Sequence, residues 1–218
     1  MTILEFITRT EEHKIVPVFY HSDLETCIEV VNASYQAGVR TFEFVNRGEN
    51  AADIFKTLIE QIERWPDLEI GIGTIYNKES AQLFIDLGAS FVVSPCMVER
   101  VASYCNEKNV AYIPGIGTIK EAYDATQMGC QMIKIFPANV IGSAFAKALS
   151  SVLSEIAIMP TGGIEPSTQG LKEWFASGVN CVGMGSQLFD KSKILNKDYS
   201  GLSNDISKAI QNANLLKN

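Results

Sequence analysis

Gly129-Cys130-Gln131-Met132-Ile133-Lys134 is a glycine, a small residue, a polar residue and then an apolar strand that ends on a lysine. The outline recurs three times, in Gly38-Val39-Arg40-Thr41-Phe42-Glu43, Gly88-Ala89-Ser90-Phe91-Val92-Val93 and Gly178-Val179-Asn180-Cys181-Val182-Gly183. Each glycine is placed to end a helix, where a left-handed residue is needed. The position four after it is apolar every time: Phe42, Val92, Ile133 and Val182. Strand alternation sends that position to one face and the next position to the other. Glu43, Val93, Lys134 and Gly183 are therefore predicted at equivalent places on four strands. The acid and the lysine share a layer.

Four further strands are expected between these units, at residues 15–20, 69–74, 111–114 and 157–161. Helical periodicity fills the gaps: Leu24, Ile28, Val31 and Tyr35 form one apolar stripe, and Phe55, Leu58, Ile59 and Ile62 another. Shorter stripes follow at 81–85, 98–105, 145–152 and 171–175, with a last helix over 206–216. Ser22-Asp23 and Asn77 read as helix starts, and Pro166 as a first-turn proline. Eight strand–helix units predict an α/β fold, a single (β/α)8 TIM barrel spanning residues 1–218 as one domain. The competing open doubly wound sheet lacks a Gly-x-Gly-x-x-Gly turn in its first unit. In the barrel the second and sixth units lie across from each other, so Glu43 and Lys134 should meet over the mouth. Val93 and Gly183 flank them and leave room for a ligand, while Phe42 and Ile133 face the helices.

A lysine inside an apolar strand rarely goes fully inside unless it is paired or used. Desolvation favours the neutral amine, which is a nucleophile toward carbonyls. Two bland alternatives stand beside this. The stem could be buried with the head at the strand end, or Lys134 and Glu43 could form a structural ion pair, a weak contributor to stability.

Composition adds outer limits. The chain has 46% hydrophobic residues, enough for one large core, and a formal charge of −7 that offers no basic patch for nucleic acid. No apolar run is long enough to cross a membrane, and Met1-Thr2-Ile3-Leu4-Glu5 lacks a signal-peptide pattern. The five cysteines are scattered and read as reduced thiols of a cytoplasmic protein. Cys96 follows Pro95 at a strand end without a nearby histidine, a weak nucleophile candidate. His13 and His21 cannot build a histidine-rich metal site, while counting leaves an oxygen-ligand site open.

The remaining motifs fall at strand ends, where barrel sites are built. Pro160-Thr161-Gly162-Gly163-Ile164 and Gly183-Met184-Gly185-Ser186 follow the last two strands. Glycines let backbone N–H groups approach an anion, and these loops are the usual phosphate cradle of the fold; tight turns are the plain alternative. Arg47 stands just past Glu43 and suits a carboxylate. Gly71-Ile72-Gly73-Thr74 offers a hydroxyl and little bulk near the barrel axis.

Phe42-Glu43-Phe44-Val45-Asn46-Arg47, Gly71-Ile72-Gly73-Thr74, Ser94-Pro95, Ile113-Pro114-Gly115-Ile116, Lys134-Ile135-Phe136-Pro137-Ala138 and Pro160-Thr161-Gly162-Gly163-Ile164 resemble, in order and spacing, the 2-keto-3-deoxy-6-phosphogluconate/4-hydroxy-2-oxoglutarate (KDPG/KHG) aldolases. The resemblance runs over about residues 10 to 215. It implies a metal-free class I aldolase with no cofactor, usually a homotrimer, acting on small 2-keto acids. Lys134 then matches the Schiff-base residue and Glu43 the proton-transfer residue. Arg47 and Thr74 match the carboxylate-binding positions, Pro95 and Phe136 shape the pocket, and Thr161, Gly162, Gly163 and Ser186 complete the substrate site. Three departures lie away from the lysine and the glutamate. Val45 and Gly48 stand where two hydroxyls are common, the first strand ends Phe19-Tyr20 where many members place an arginine, and Met184 stands where a glycine is common. They fall toward the substrate's distal end. Rival readings are the galactonate-type aldolase of the same family, a phosphate-binding isomerase or synthase without covalent lysine chemistry, and a non-catalytic sugar-acid binder. A binder need not keep both Lys134 and Glu43.

Overall fold

In a computed structural model that describes residues 1–216, the four repeat glycines have positive φ, at 101° for Gly38, 104° for Gly88, 80° for Gly129 and 89° for Gly178. Each stands two residues past a helix, after Leu24–Gln36, Lys78–Asp86, Ile119–Gln127 and Thr168–Ala176. A side chain is strained at that φ, which is why the repeat keeps a glycine there. The strands are β1 (Ile15–Phe19), β2 (Thr41–Val45), β3 (Glu69–Gly73), β4 (Phe91–Val93), β5 (Ala111–Ile113), β6 (Gly115–Ile116), β7 (Met132–Ile135), β8 (Ala157–Pro160) and β9 (Val182–Met184). All pair in parallel, in a six-stranded sheet of order β5-β4-β3-β2-β1-β9 and a three-stranded sheet of order β6-β7-β8.

The expected fifth strand is split because Pro114 has no N–H to give the ladder. The sheets adjoin at two seams. Pro114 carries the chain from β5 into β6, and Thr161 and Gly183 form an isolated parallel bridge between the ends of β8 and β9.

The predicted alternation is present. Phe42, Val92, Ile133 and Val182 lie in the large core packed against the helices. Val93 lies instead in a second cluster on the inner face, with Val16, Phe91, Met132, Met159 and Cys181. That cluster draws on both sheets, so their inner faces look at each other.

Asp23 and Asn77 cap their helices, each side chain accepting a backbone N–H at 2.8 Å. Pro166 does not begin a helix; Ser167 caps Thr168–Ala176 and the proline precedes the cap. The last helix starts earlier than expected, at Tyr199, and runs to Asn214. Two helices carry too short an apolar stripe to stand out. Ile119–Gln127 buries only Ala122 and Ala125, and Ile3–His13 buries Phe6 and Thr10. The latter opens on a capping box between Thr2 and Glu5. It drives Phe6 into the inner cluster, where its ring meets Phe91 at 4.7 Å between centroids. No helix among the described residues is long and apolar enough to cross a membrane.

Candidate active site

Lys134 lies on β7 and Glu43 on β2, in different sheets, and the inner faces bring them together. Lys134 Nζ donates to Glu43 Oε1 at 3.2 Å and Oε2 at 3.4 Å. Both residues are buried, Lys134 at 5% exposure and Glu43 at 1%. The head of Lys134 therefore does not snorkel to solvent. Its Nζ also lies 5.5 Å from the centre of the Phe136 ring, a cation–π contact. An ammonium and a carboxylate buried together cost solvation that their attraction barely repays, so the pair is a weak device for stability. As chemistry it places a nucleophilic amine within proton-transfer reach of a base.

The glycines beside this pair make room for the chain's own side chains. A Cβ at Gly73 would overlap the Glu43 carboxylate, and one at Gly71 the Phe91 ring. A Cβ at Gly183 would overlap Thr161 Oγ1, and Val93 is packed in the inner apolar cluster. The expectation that these positions leave space for a ligand is thus corrected. Their small size lets Glu43, Phe91 and Thr161 cross the face of the neighbouring strand. Thr161 itself is 5% exposed, and its Oγ1 is buried with no hydrogen-bond partner. A buried hydroxyl left unpaired is costly and calls for an explanation, an ordered water or a bound group among them.

Above the pair a cavity of about 620 Å³ extends over the ends of β8, β9, β1 and β2. Arg47, Phe136, Thr161, Gly162, Gly163 and Ser186 line it. Lys134, Glu43, Thr74 and Pro95 do not; Lys134 Nζ is 5.5 Å from the ring of Phe136, which does line it, and Thr74 and Pro95 follow the ends of β3 and β4. Thr74 holds φ at 64°, unusual for a β-branched residue and a mark of local strain. Gly162 and Gly163 turn with φ of 106° and 68°. Their carbonyl side is tied down, since Ala138 N–H donates to Thr161 O at 2.8 Å and Asn139 N–H to Gly162 O at 3.0 Å. The N–H groups of Gly162 and Gly163 donate to no other described residue, nor does the Ser186 hydroxyl. Gly163 has Asn139 packed against it, so a Cβ there would collide.

Arg47 is exposed, and its guanidinium has no partner among the described residues. Two of the departures noted in the sequence meet beside it. Tyr20 lies over Gly48, where a Cβ would overlap its hydroxyl, and donates to Asn50 Oδ1 at 2.7 Å. Asn50 Nδ2 in turn donates to Ser22 O at 2.7 Å, which pins the loop that carries Arg47 to the end of β1. Tyr20, singled out in the sequence as a departure, lines the cavity, as do His21 and Lys191, which no sequence signal pointed to. The pairing of an aromatic at position 20 with a glycine at position 48 was the available signal.

Burial pushes the Cys27 thiol up to about 11 and those of Cys105 and Cys130 to about 12, which keeps them unreactive. Cys96 is exposed. Among the described residues no cluster of three or more His, Cys, Asp or Glu side chains is placed to hold a metal ion.

The sequence profile of the KDPG and KHG aldolase family matches residues 6–205. The chain is 29% identical over 203 residues to the KHG/KDPG aldolase of Escherichia coli (strain K12), covering 92% of each. It is 31% identical over 200 residues to the 2-dehydro-3-deoxy-phosphogluconate aldolase of Pseudoalteromonas atlantica, covering 91% of each. Among solved structures, the KDPG aldolase of Legionella pneumophila with pyruvate captured as a covalent carbinolamine superposes with a TM-score of 0.85 at 25% identity, over 93% of this chain and 97% of that one.

Proposed function

The chain belongs to the KDPG and KHG aldolase family, and from that premise we propose that it is a class I aldolase whose imine forms on Lys134. The reading rests above all on the buried pair, with Lys134 Nζ 3.2 Å from Glu43 Oε1. The substrates are 2-keto-3-deoxy-6-phosphogluconate, cleaved to pyruvate and glyceraldehyde 3-phosphate, and 4-hydroxy-2-oxoglutarate, cleaved to pyruvate and glyoxylate.

Glu43 takes a proton from Lys134 Nζ, and the neutral amine adds to the C2 carbonyl. The protonated Glu43 returns its proton to the carbinolamine hydroxyl, which leaves as water and gives an iminium. The carboxylate then removes the proton of the C4 hydroxyl. The C3–C4 bond breaks, its electron pair flows into the iminium, and an aldehyde departs. Glu43 protonates the resulting enamine at C3, and water hydrolyses the iminium to release pyruvate. Arg47 and Thr74 hold the pyruvyl carboxylate. Pro95 and Phe136 shape the pocket, and Thr161, Gly162, Gly163 and Ser186 receive the distal part of the substrate. We take the two sheets as arcs of one closed (β/α)8 barrel, a single domain over 1–218. We also take the protein as a cytoplasmic homotrimer, on the strength of the family resemblance and the scattered free thiols.

Pyruvate with borohydride tests the proposal. Reduction of the imine should inactivate the protein and leave a stable pyruvyl adduct on Lys134, located by peptide mass spectrometry. Lys134→Arg should form no adduct, because its guanidinium stays protonated, and should lose roughly 10⁵-fold or more in kcat. An unchanged intact mass in folded wild-type protein would favour the isomerase or synthase reading instead.

A further inference from the structure

The formal charge of the chain is −7, yet no aspartate or glutamate lines the cavity above Lys134. Its lining carries two cations, Arg47 just past β2 and Lys191 at the start of the short helix Lys191–Leu195 that follows β9. Neither has a hydrogen-bond or ion-pair partner among the described residues. The acids flanking this rim are engaged elsewhere. Asp190 accepts from the Ser192 N–H and hydroxyl, each at 2.7 Å, and Glu165 accepts from Gln187 Nε2 at 2.7 Å. The end of β1 also lines the cavity, with Tyr20 and His21. The Tyr20 proton is given to Asn50, and His21 Nδ1 accepts the Asp23 N–H at 3.0 Å.

We propose that Lys191 is a specificity-determining residue that selects 2-keto acids ending in a phosphate monoester. This deepens the aldolase reading and rests on it. With C2 on Lys134 and the carboxylate at Arg47, the substrate chain passes Thr161 toward the Gly162–Gly163 turn, whose N–H groups have no partner. Those donors are neutral dipoles, and a phosphate dianion gains most from a full positive charge. Arg47 and Lys191 are the two cations among the residues lining the cavity, so with Arg47 on the carboxylate Lys191 is the one left for the far end. Its flexible stem lets a compact ammonium follow a terminal phosphate. A five-carbon diacid ends sooner, so its second carboxylate falls short of Lys191 and draws less from it.

The test is the ratio of kcat/KM for 2-keto-3-deoxy-6-phosphogluconate to that for 4-hydroxy-2-oxoglutarate. In Lys191→Gln that ratio should fall about tenfold, mainly through KM for the phosphorylated acid. Lys191→Arg should bring it back to within about twofold of wild type. Inorganic phosphate, titrated by calorimetry, should bind Lys191→Gln more weakly by a similar factor. A ratio and a phosphate affinity both unchanged in Lys191→Gln would overturn the assignment. Failure of the aldolase reading looks different: wild type would cleave neither acid and form no borohydride-trapped adduct, while the phosphate titration would still report on Lys191.

Discussion

Two residues along a strand separate the most apolar part of the inner face from the most polar. On β7, Met132 lies in the dry cluster around Phe6 and Lys134 in the candidate site. On β3, Gly71 yields to the Phe91 ring and Gly73 to the Glu43 carboxylate. On β8 the step runs from Met159 to the unpaired hydroxyl of Thr161, just past the strand end. Positions two apart share a face and stand only about 6.6 Å apart, so the same scaffold presents both environments. The N-terminal end is closed by an apolar plug. The C-terminal end gathers what folding alone does not favour: a buried ion pair, an orphaned hydroxyl and a threonine at positive φ. Stability and chemistry are kept at opposite ends of one interior.

The largest expected effect at the chemical end falls on Glu43, the proposed proton carrier. Glu43→Gln keeps the shape over Gly73 and removes the base, so cleavage should slow by roughly 10² to 10⁴. Deuterium exchange into the pyruvate methyl group should fall in parallel, while borohydride still traps some imine. Removing one partner leaves the buried Lys134 charge uncompensated, so the denaturation midpoint should also fall, by a loss of up to about 3 to 5 kcal/mol. Near-normal exchange would hand the proton to another group and erase the chemical side of the contrast.

At the other end, Phe6→Ala empties the plug. Truncating a buried phenylalanine costs about 3 to 5 kcal/mol, part transfer and part cavity. Urea denaturation should read that loss, while kcat/KM at the far end stays within about twofold of wild type, as expected of a distant and independent site. A large kinetic defect in a variant still folded at the assay temperature would mean that plug and site are coupled.

The chemical end was more legible in the sequence than the plug. The repeat fixed which strand positions face inward, and the lysine and glutamate then stood out as charges among apolar neighbours. Helix Ile3–His13 did not stand out, since it buries only Phe6 and Thr10, although Thr2 and Glu5 spell a capping box. Helix Ile119–Gln127 was missed for the same reason: a face of alanines has almost no amplitude in a periodic pattern. From sequence alone the glycines of β3 look like space for a ligand, because a sequence does not say which neighbour crosses the face. That depends on register, Glu43 opposite Gly71 and Val45 opposite Gly73, which is a tertiary fact. Tyr20 over Gly48 is another of this kind, two unremarkable residues whose meaning is their contact.

The smallest effect gives the sharpest comparison, because the same atom is orphaned at both ends. Thr41 Oγ1 and Thr161 Oγ1 are each buried without a hydrogen-bond partner. Thr41 opens β2, two residues before Glu43 on the same face, and Thr161 follows β8 at the cavity wall. Replacing either by valine removes a desolvated hydroxyl at nearly constant shape, which should stabilise the fold by about 1 kcal/mol. Only one of them should cost function. If the Thr161 hydroxyl bonds the bound substrate, its loss forfeits one neutral hydrogen bond, a fall of about fivefold in kcat/KM for the sugar acid. Thr161→Val should therefore be more stable and slower, and Thr41→Val more stable and unchanged. Melting temperatures and steady-state rates on the same two preparations decide it. Were both variants kinetically silent, the Thr161 hydroxyl would be only a defect of packing, as Thr41 is, and the polar end would extend no further than Lys134 and Glu43.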